Sequence, residues 1–99
     1  MKIIKEAIAG TLESSDIQIM LVSNKNTGIE IQLKSSVEKQ FGKQIRKVIM
    51  ETLNKLEIDN VILVATDKGA LDCTIKARVT CAVYRACGIK EKFDWEVID

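Results

Sequence analysis

Alternation of apolar and polar residues predicts four β-strands in this chain. Three of them lie in the first third of the sequence, at residues 7–13, 16–23 and 29–34. The third alternates isoleucine and leucine with polar residues, which is typical of a sheet with one buried face and one solvated face. The run 60–66 is almost wholly apolar, which favours a strand that is central in the sheet or covered on both faces.

The first two strands are predicted to form a hairpin with Ser14 and Ser15 at its tip. On one face of the ribbon, a two-residue turn there would pair Leu12 with Ile17, Gly10 with Ile19 and Ile8 with Leu21. This arrangement places the Ser14 hydroxyl at the exposed end of a stiff support.

Two later stretches change to helical spacing. Ser35 and Glu38 have the spacing of a capping box and predict that a helix begins there. A second helix is predicted over about residues 70–86, with Gly88 as its C-terminal cap. The apolar stripes are Val37, Phe41, Ile45, Val48, Ile49, Leu53 and Leu56 on the first helix, and Leu71, Ile75, Val79, Ala82, Val83 and Ala86 on the second.

The resulting order, β-β-β-α-β-α, predicts an α+β fold. We expect a two-layer sandwich in which both helices cover one face of a mainly antiparallel four-stranded sheet. A chain of 99 residues has room for one domain. Residues 1–87 are predicted to form it, followed by a C-terminal extension at 88–99. There Phe93 and Trp95 could anchor a partner, pack on the body or belong to a flexible, disordered end.

Composition argues against several kinds of function. The net charge is only +1, whereas nucleic-acid binding generally uses a strongly positive surface. A general nucleic-acid-binding role is therefore not expected. The chain has no histidine, the most common general base and metal ligand, so we expect neither independent catalysis nor a metal site. Cys73, Cys81 and Cys87 have no metal-ligand or disulfide spacing and are expected to be small apolar residues packed in a cytoplasmic protein. No segment is typical of a membrane span or a secretory signal.

Ser14 is the most accessible candidate for chemistry. Glu13 and Asp16 flank the serine pair, and no histidine or lysine stands nearby to accept the proton. Ser14 is therefore poorly suited to act as a nucleophile, but it could accept a group that another enzyme installs. On these residues alone, an ordinary turn serine is the more common case.

Basic residues and a glycine near the helices provide candidate contact sites. Lys68 and Gly69 precede the second helix, where free backbone N–H groups and the helix dipole can hold phosphate or carboxylate. Arg46 and Arg78 belong to basic clusters on the two helices that could contact an acidic partner or the phosphates of a carried group. A plain turn with Asp67 as a cap, together with solvated helix faces, explains the same residues without a ligand.

Three blocks of sequence carry a family resemblance. They are residues 9–14 with Asp16, residues 35–42 with Ile45 and Arg46, and residues 67–73 with Arg78. In order and spacing the blocks resemble the acyl carrier (gamma) subunit of citrate lyase, and together they are more specific than any short motif.

The resemblance implies a covalent attachment site at Ser14. In that family the corresponding serine carries a phosphodiester-linked phosphoribosyl-dephospho-coenzyme A, whose terminal thiol holds the acetyl or citryl group. This sequence has Ser15 where glycine is often found and Glu6 where proline is frequent. The first departure leaves Ser15 as a second candidate for attachment.

The resemblance also implies partners. These are the alpha subunit for acyl transfer, the beta subunit for citryl cleavage, and, transiently, a prosthetic-group transferase and an acetylating ligase. Any metal would belong to the partner, and this chain would be a non-catalytic carrier. Two alternatives remain open: a carrier subunit of a related, malonate-type decarboxylase, and a docking or assembly module with no cofactor.

Overall fold

Residues 2–88 are described in the computed structural model, and they form six elements in the predicted order. The elements are β1 (Ala7–Ala9), β2 (Ile17–Val22), β3 (Ile29–Ser35), α1 (Glu38–Lys55), β4 (Val61–Asp67) and α2 (Asp72–Ala86). The predicted α+β class is confirmed. The proposed extension, with Phe93 and Trp95, lies outside the described residues, apart from Gly88.

The four strands form one mixed sheet in the order β1-β2-β4-β3. The β1–β2 pair is antiparallel, as predicted for the hairpin; β2 and β4 are also antiparallel, whereas β3 and β4 are parallel. Parallel neighbours need a crossover, and α1 supplies it between β3 and β4. Because β4 lies between them, β2 and β3 are not neighbours.

The core lies between one face of the sheet and the two helices. Alternate residues of β2 and β4 are fully buried there, in contact with apolar residues of α1 and α2. The buried set includes Ile17, Ile19, Leu21, Val61, Leu63, Ala65, Ile49, Leu53, Ile75, Val79 and Val83. β4 is central, and its second face is partly exposed. Phe41 and Leu71, which were predicted to face the core, are 51% and 71% exposed.

The predicted hairpin register is wrong by one residue. Ala7 pairs with Leu21 and Ala9 with Ile19, so the alanines are buried and Ile8 is 49% exposed. β1 ends at Ala9, and the connection to β2 is a loop at residues 10–16 instead of a two-residue turn. Since side chains alternate across a strand, this single shift exchanges the faces of β1.

The start of α1 also differs from the prediction. Val37, which makes no side-chain cap hydrogen bond, is the N-cap, and Ser35 is still part of β3. The Ser35 hydroxyl donates to Oδ2 of Asp67 at 2.8 Å and accepts from the Val37 N–H at 3.1 Å. Ser35 therefore joins the ends of β3 and β4, and the capping-box prediction is wrong.

The ends of α2 agree more closely with the sequence. α2 begins at Asp72, two residues later than expected. Asp67 does not cap the helix itself, but its carboxylate accepts the Ala70 N–H at 3.0 Å in the turn before it. Gly88 has a φ of 78° and donates its N–H to the Arg85 carbonyl at 3.2 Å, as a C-terminal cap does.

Candidate functional site

The loop at residues 10–16, here called the serine loop, places Ser14 and Ser15 in a tight turn. The Asp16 N–H donates to the Glu13 carbonyl at 3.2 Å, so the two exposed serines are the central residues of the turn. Ser15 has a φ of 66°, a left-handed conformation that favours glycine. Glycine adopts this conformation most easily, which explains why the citrate lyase carrier family, which this sequence resembles, often has glycine at this position.

The Asp16 carboxylate accepts hydrogen bonds from both ends of the serine loop. Its Oδ2 accepts the N–H of Thr11 at 3.1 Å and the Thr11 hydroxyl at 2.6 Å, and its Oδ1 accepts the Ile17 N–H at 2.7 Å. Thr11 in turn accepts the Glu13 N–H at 3.2 Å. The carboxylate thus fixes both ends of the loop while the serines remain outside.

Arg78 on α2 forms a two-point ion pair with Asp16. Nε donates to Oδ1 at 3.0 Å and Nη2 donates to Oδ2 at 2.9 Å, a bidentate geometry among the strongest for a charged pair. The Arg78 guanidinium is the main reason why the pKa of Asp16 lies far below its usual value, with Thr11 and Ile17 also lowering it and burial opposing them. Asp16, which is 9% exposed, therefore stays charged and ties the loop to α2.

The turn between β4 and α2 holds the serine loop from the other side. Ser15 donates its N–H to the Lys68 carbonyl at 2.8 Å, and Lys68 donates its N–H to the Asp16 carbonyl at 2.9 Å. Lys68 and Gly69 are exposed at this junction. Of the four candidate contact residues, Lys68, Gly69 and Arg78 thus lie at or next to the serine loop. The fourth, Arg46, donates to the Ile31 carbonyl of the edge strand β3 at 2.9 Å.

A pocket of about 650 Å³ lies between the start of α1 and residues 67–73. Its walls are largely apolar and include Phe41 and Ile45 from α1, its N-cap Val37, and Ala70 and Leu71 from the turn before α2. At its edge, Gln44 Nε2 donates to Asp72 Oδ2 at 3.0 Å. The sequence gives no sign of this pocket, because Phe41 and Leu71 fit the apolar stripes of the two helices.

The chemistry available in the described part of the chain is limited. Across residues 2–88, no group of three or more His, Cys, Asp or Glu side chains could hold a metal ion. Cys73 is exposed and Cys81 and Cys87 are partly buried, so the expectation of packed cysteines is wrong for Cys73. Burial raises the pKa of the Cys87 thiol. Within residues 2–88, neither helix combines the length and hydrophobicity that crossing a membrane requires.

Comparisons with known proteins define the class first. A family model named ACP and described as malonate decarboxylase delta subunit (MdcD) matches residues 4–86, a range that contains all six elements. The chain is thus an acyl carrier subunit.

Relatives then identify the particular family. The chain is 65% identical to the citrate lyase acyl carrier protein of Lacticaseibacillus casei (strain BL23) over 99 residues, covering 100% of this chain and 96% of that protein. It is 60% identical to the citrate lyase acyl carrier protein of Latilactobacillus sakei subsp. sakei (strain 23K), with the same coverage. The Oenococcus oeni (strain ATCC BAA-331 / PSU-1) protein of that name is 56% identical, over 99% of this chain and 100% of its own length. The chain belongs to the citrate lyase acyl carrier proteins and is a carrier, not an enzyme.

A solved structure shares the fold. Homoserine kinase from Cytophaga hutchinsonii ATCC 33406 superimposes with a TM-score of 0.58 and 14% identity, covering 88% of this chain and 36% of the kinase chain. At this identity the similarity concerns the fold alone.

Proposed function

We propose that this protein carries acetyl and citryl groups as thioesters within a citrate lyase complex that cleaves citrate to oxaloacetate and acetate. The carrier arm is a phosphoribosyl-dephospho-coenzyme A attached covalently to Ser14. One observation carries the proposal: an exposed serine turn on a rigid base, in a chain that belongs to the citrate lyase acyl carrier proteins.

The residues around Ser14 fit a tethered group. A long flexible arm needs a narrow, exposed and fixed anchor, so that its far end reaches partner sites at a high effective concentration. The Asp16–Arg78 ion pair and the Lys68 backbone fix the base of the serine loop, while the exposed Lys68 side chain provides a positive charge for the phosphodiester. When bound, the arm supplies a thiol whose thioester keeps the acyl carbon electrophilic.

We favour Ser14 over Ser15 as the attachment residue. Ser14 occupies the position of the modified serine in the family pattern. The Ser15 backbone is held against Lys68 at 2.8 Å, in a left-handed conformation that requires no serine side chain. Ser15 serves mainly to shape the turn.

The proposal extends to partners and location. The alpha subunit exchanges the acyl group with citrate, and the beta subunit cleaves the citryl thioester, with any metal on the partner side. A transferase installs the arm, a ligase acetylates it, and the complex is cytoplasmic. Residues 1–87 form the carrier domain and 88–99 an extension of it.

Mass spectrometry tests the attachment. The protein is purified from its native host fermenting citrate, its intact mass is measured, and the peptide covering residues 7–25 is mapped. We expect the added phosphoribosyl-dephospho-coenzyme A on this peptide, complete loss in Ser14→Ala, and retention in the matched control Ser15→Ala. An unmodified wild-type peptide would contradict the carrier arm, and loss in Ser15→Ala alone would move it to Ser15.

A second candidate is the carrier subunit of a malonate-type decarboxylase, which the description of the matching family model favours. It would use the same kind of arm with other partners. Purification of the intact complex separates the two functions, because we expect it to cleave citrate and to leave malonate unchanged. An unmodified carrier that still enters a complex would favour the cofactor-free assembly module instead.

A further inference from the structure

The pocket between α1 and residues 67–73 has the features of a small-molecule site. Its volume of about 650 Å³ is within the usual range for ligand pockets, which are mostly apolar with a few polar groups. Phe41 and Leu71 leave 51% and 71% of their surface exposed there. Because large apolar side chains are costly to leave in water, two of them at the walls of one cavity suggest an apolar occupant.

This pocket lies close to the anchor of the proposed arm. Ser15 is hydrogen-bonded to Lys68, and the next residue, Gly69, lines the pocket. Neighbouring Cα atoms are about 3.8 Å apart, and those of a hydrogen-bonded antiparallel pair are about 5.5 Å apart. Along the path from Ser14 through Ser15 and Lys68, the Ser14 and Gly69 Cα atoms are therefore within about 13 Å of each other. The exposed Lys68 lies between them, and its positive charge complements a phosphate that crosses from the serine to the pocket.

We propose that the pocket seats the adenine nucleoside of the arm; this inference rests on the proposed function. In the phosphodiester-linked group, one phosphate and two pentose rings separate the serine oxygen from the adenine, and the pantetheine lies beyond them. The nucleoside is therefore the part of the arm that reaches the pocket while the thiol stays outside.

The walls of the pocket match the chemistry of a purine. Phe41 and Leu71 offer apolar surface to the flat ring, and aromatic side chains stack well on any base. The Gln44 side-chain oxygen can accept from the exocyclic amine of adenine. A tether keeps the ligand at millimolar effective concentration, so weak intrinsic affinity is sufficient. The seated nucleoside makes the pantetheine the moving part of the arm.

Amide NMR spectra of the modified and unmodified protein test the seating. Attachment is first confirmed by intact mass. We expect the amides of Phe41, Ile45, Ala70 and Leu71 to shift on modification, in addition to those of the serine loop. Shifts confined to residues 10–16 and Lys68, in protein that carries the arm, would overturn the seating and leave the carrier function intact.

Titration of the unmodified protein with free dephospho-coenzyme A tests the pocket independently of attachment. We expect the same amides to shift with a dissociation constant in the millimolar range, and Phe41→Ala to weaken binding about tenfold. Leu71→Ser is a second variant, because its side chain is mostly exposed and its loss should spare the fold. Ile8→Thr, on the exposed face of β1, is the matched control and should bind like the wild type.

Each further outcome has a definite meaning. Pocket shifts caused by pantetheine alone, or none with dephospho-coenzyme A, would contradict the nucleoside assignment. If the titration shows pocket binding but protein from the native host carries no arm on Ser14, the missing arm contradicts the proposed function and the binding supports only a nucleotide site. Burial of the pocket by a partner subunit, with no arm contact, would also overturn the seating.

Discussion

Gly10 is the residue on which the shape of the serine loop depends most directly. Its φ is 92°, and a Cβ there would collide with the Ile17 carbonyl oxygen. We expect Gly10→Ala to lower the free energy of unfolding by at least about 2 kcal/mol, because it adds a steric clash to a strained backbone. Urea unfolding checks this. The matched control is Gly28→Ala. Its φ is 115°, but a Cβ added there would have no atom within 4 Å beyond its chain neighbours, so only the backbone strain of about 1 kcal/mol applies. Equal losses in both variants would contradict the clash.

For the serine loop, the sequence predicted that Ser14 is exposed but not which contacts hold the loop in place. The exposure of Ser14 followed from polar turn formers between two apolar strands, and the structure confirms that both serines are exposed. The Asp16–Arg78 pair joins residues 62 positions apart, and neither residue differs in type from the many surface charges around it. Such a pairing is defined only when α2 packs against β2, which a local pattern does not contain.

Among the elements, the helices were predicted better than the sheet pairing. Helical spacing over more than four turns identified α1 and α2, whereas β1 has only three residues. Its small alanines carry a weak apolar signal, so the alternation of Ile8 and Leu12 favoured the opposite face. The Arg85 guanidinium also donates to the Ile8 carbonyl at 2.6 Å, a contact between α2 and the edge strand that leaves no pattern in the sequence. The parallel β3–β4 pair was missed because the sequence order allows either direction.

Ser35 shows how one hydroxyl joins two elements. Its Oγ bonds the Asp67 carboxylate and the Val37 N–H, and Asp67 is only 1% exposed. We expect Ser35→Ala to destabilise the protein by about 1–2 kcal/mol, since a buried carboxylate loses a donor. Urea unfolding monitored by circular dichroism measures it. Ser36→Ala, at the exposed neighbouring position, should change stability by less than about 0.5 kcal/mol. A Ser35 variant as stable as the Ser36 variant would show that the bond contributes nothing.

For the whole molecule, topology explains why the candidate sites converge. Ser35 pairs with Asp67 at the carboxyl ends of the parallel strands, and Asp67 also pairs with Ile17, directly after the serine loop. The start of α1, the turn before α2 and the serine loop therefore meet at one end of the sheet. Ligands of open α/β sheets commonly bind beyond the carboxyl ends of the strands, and both the anchor and the pocket lie there.

The ion pair between the serine loop and α2 makes stability depend on acid. Asp16 has a lowered pKa in the folded protein, so its contribution is complete above the unfolded pKa of about 4 and is lost as pH falls below it. At neutral pH we expect Asp16→Asn to cost about 2 kcal/mol, because charge-assisted hydrogen bonds are lost. The difference from the wild type should shrink steadily in acid below about pH 4, as urea unfolding over a pH series would show.

The surface pair Lys47–Glu51 is the matched control for this prediction. Its atoms are 3.9 Å apart and its side chains are 68% and 59% exposed, so Glu51→Gln should cost less than about 0.5 kcal/mol at neutral pH. If the free energy of unfolding that Asp16→Asn loses relative to the wild type stayed constant down to acid pH, the carboxyl would act through its shape and not through its charge. With the predicted pH dependence, the lowered pKa keeps Asp16 charged in the folded protein well below pH 4, so the Ser14 turn stays tied to α2 while the stability that the ion pair contributes falls.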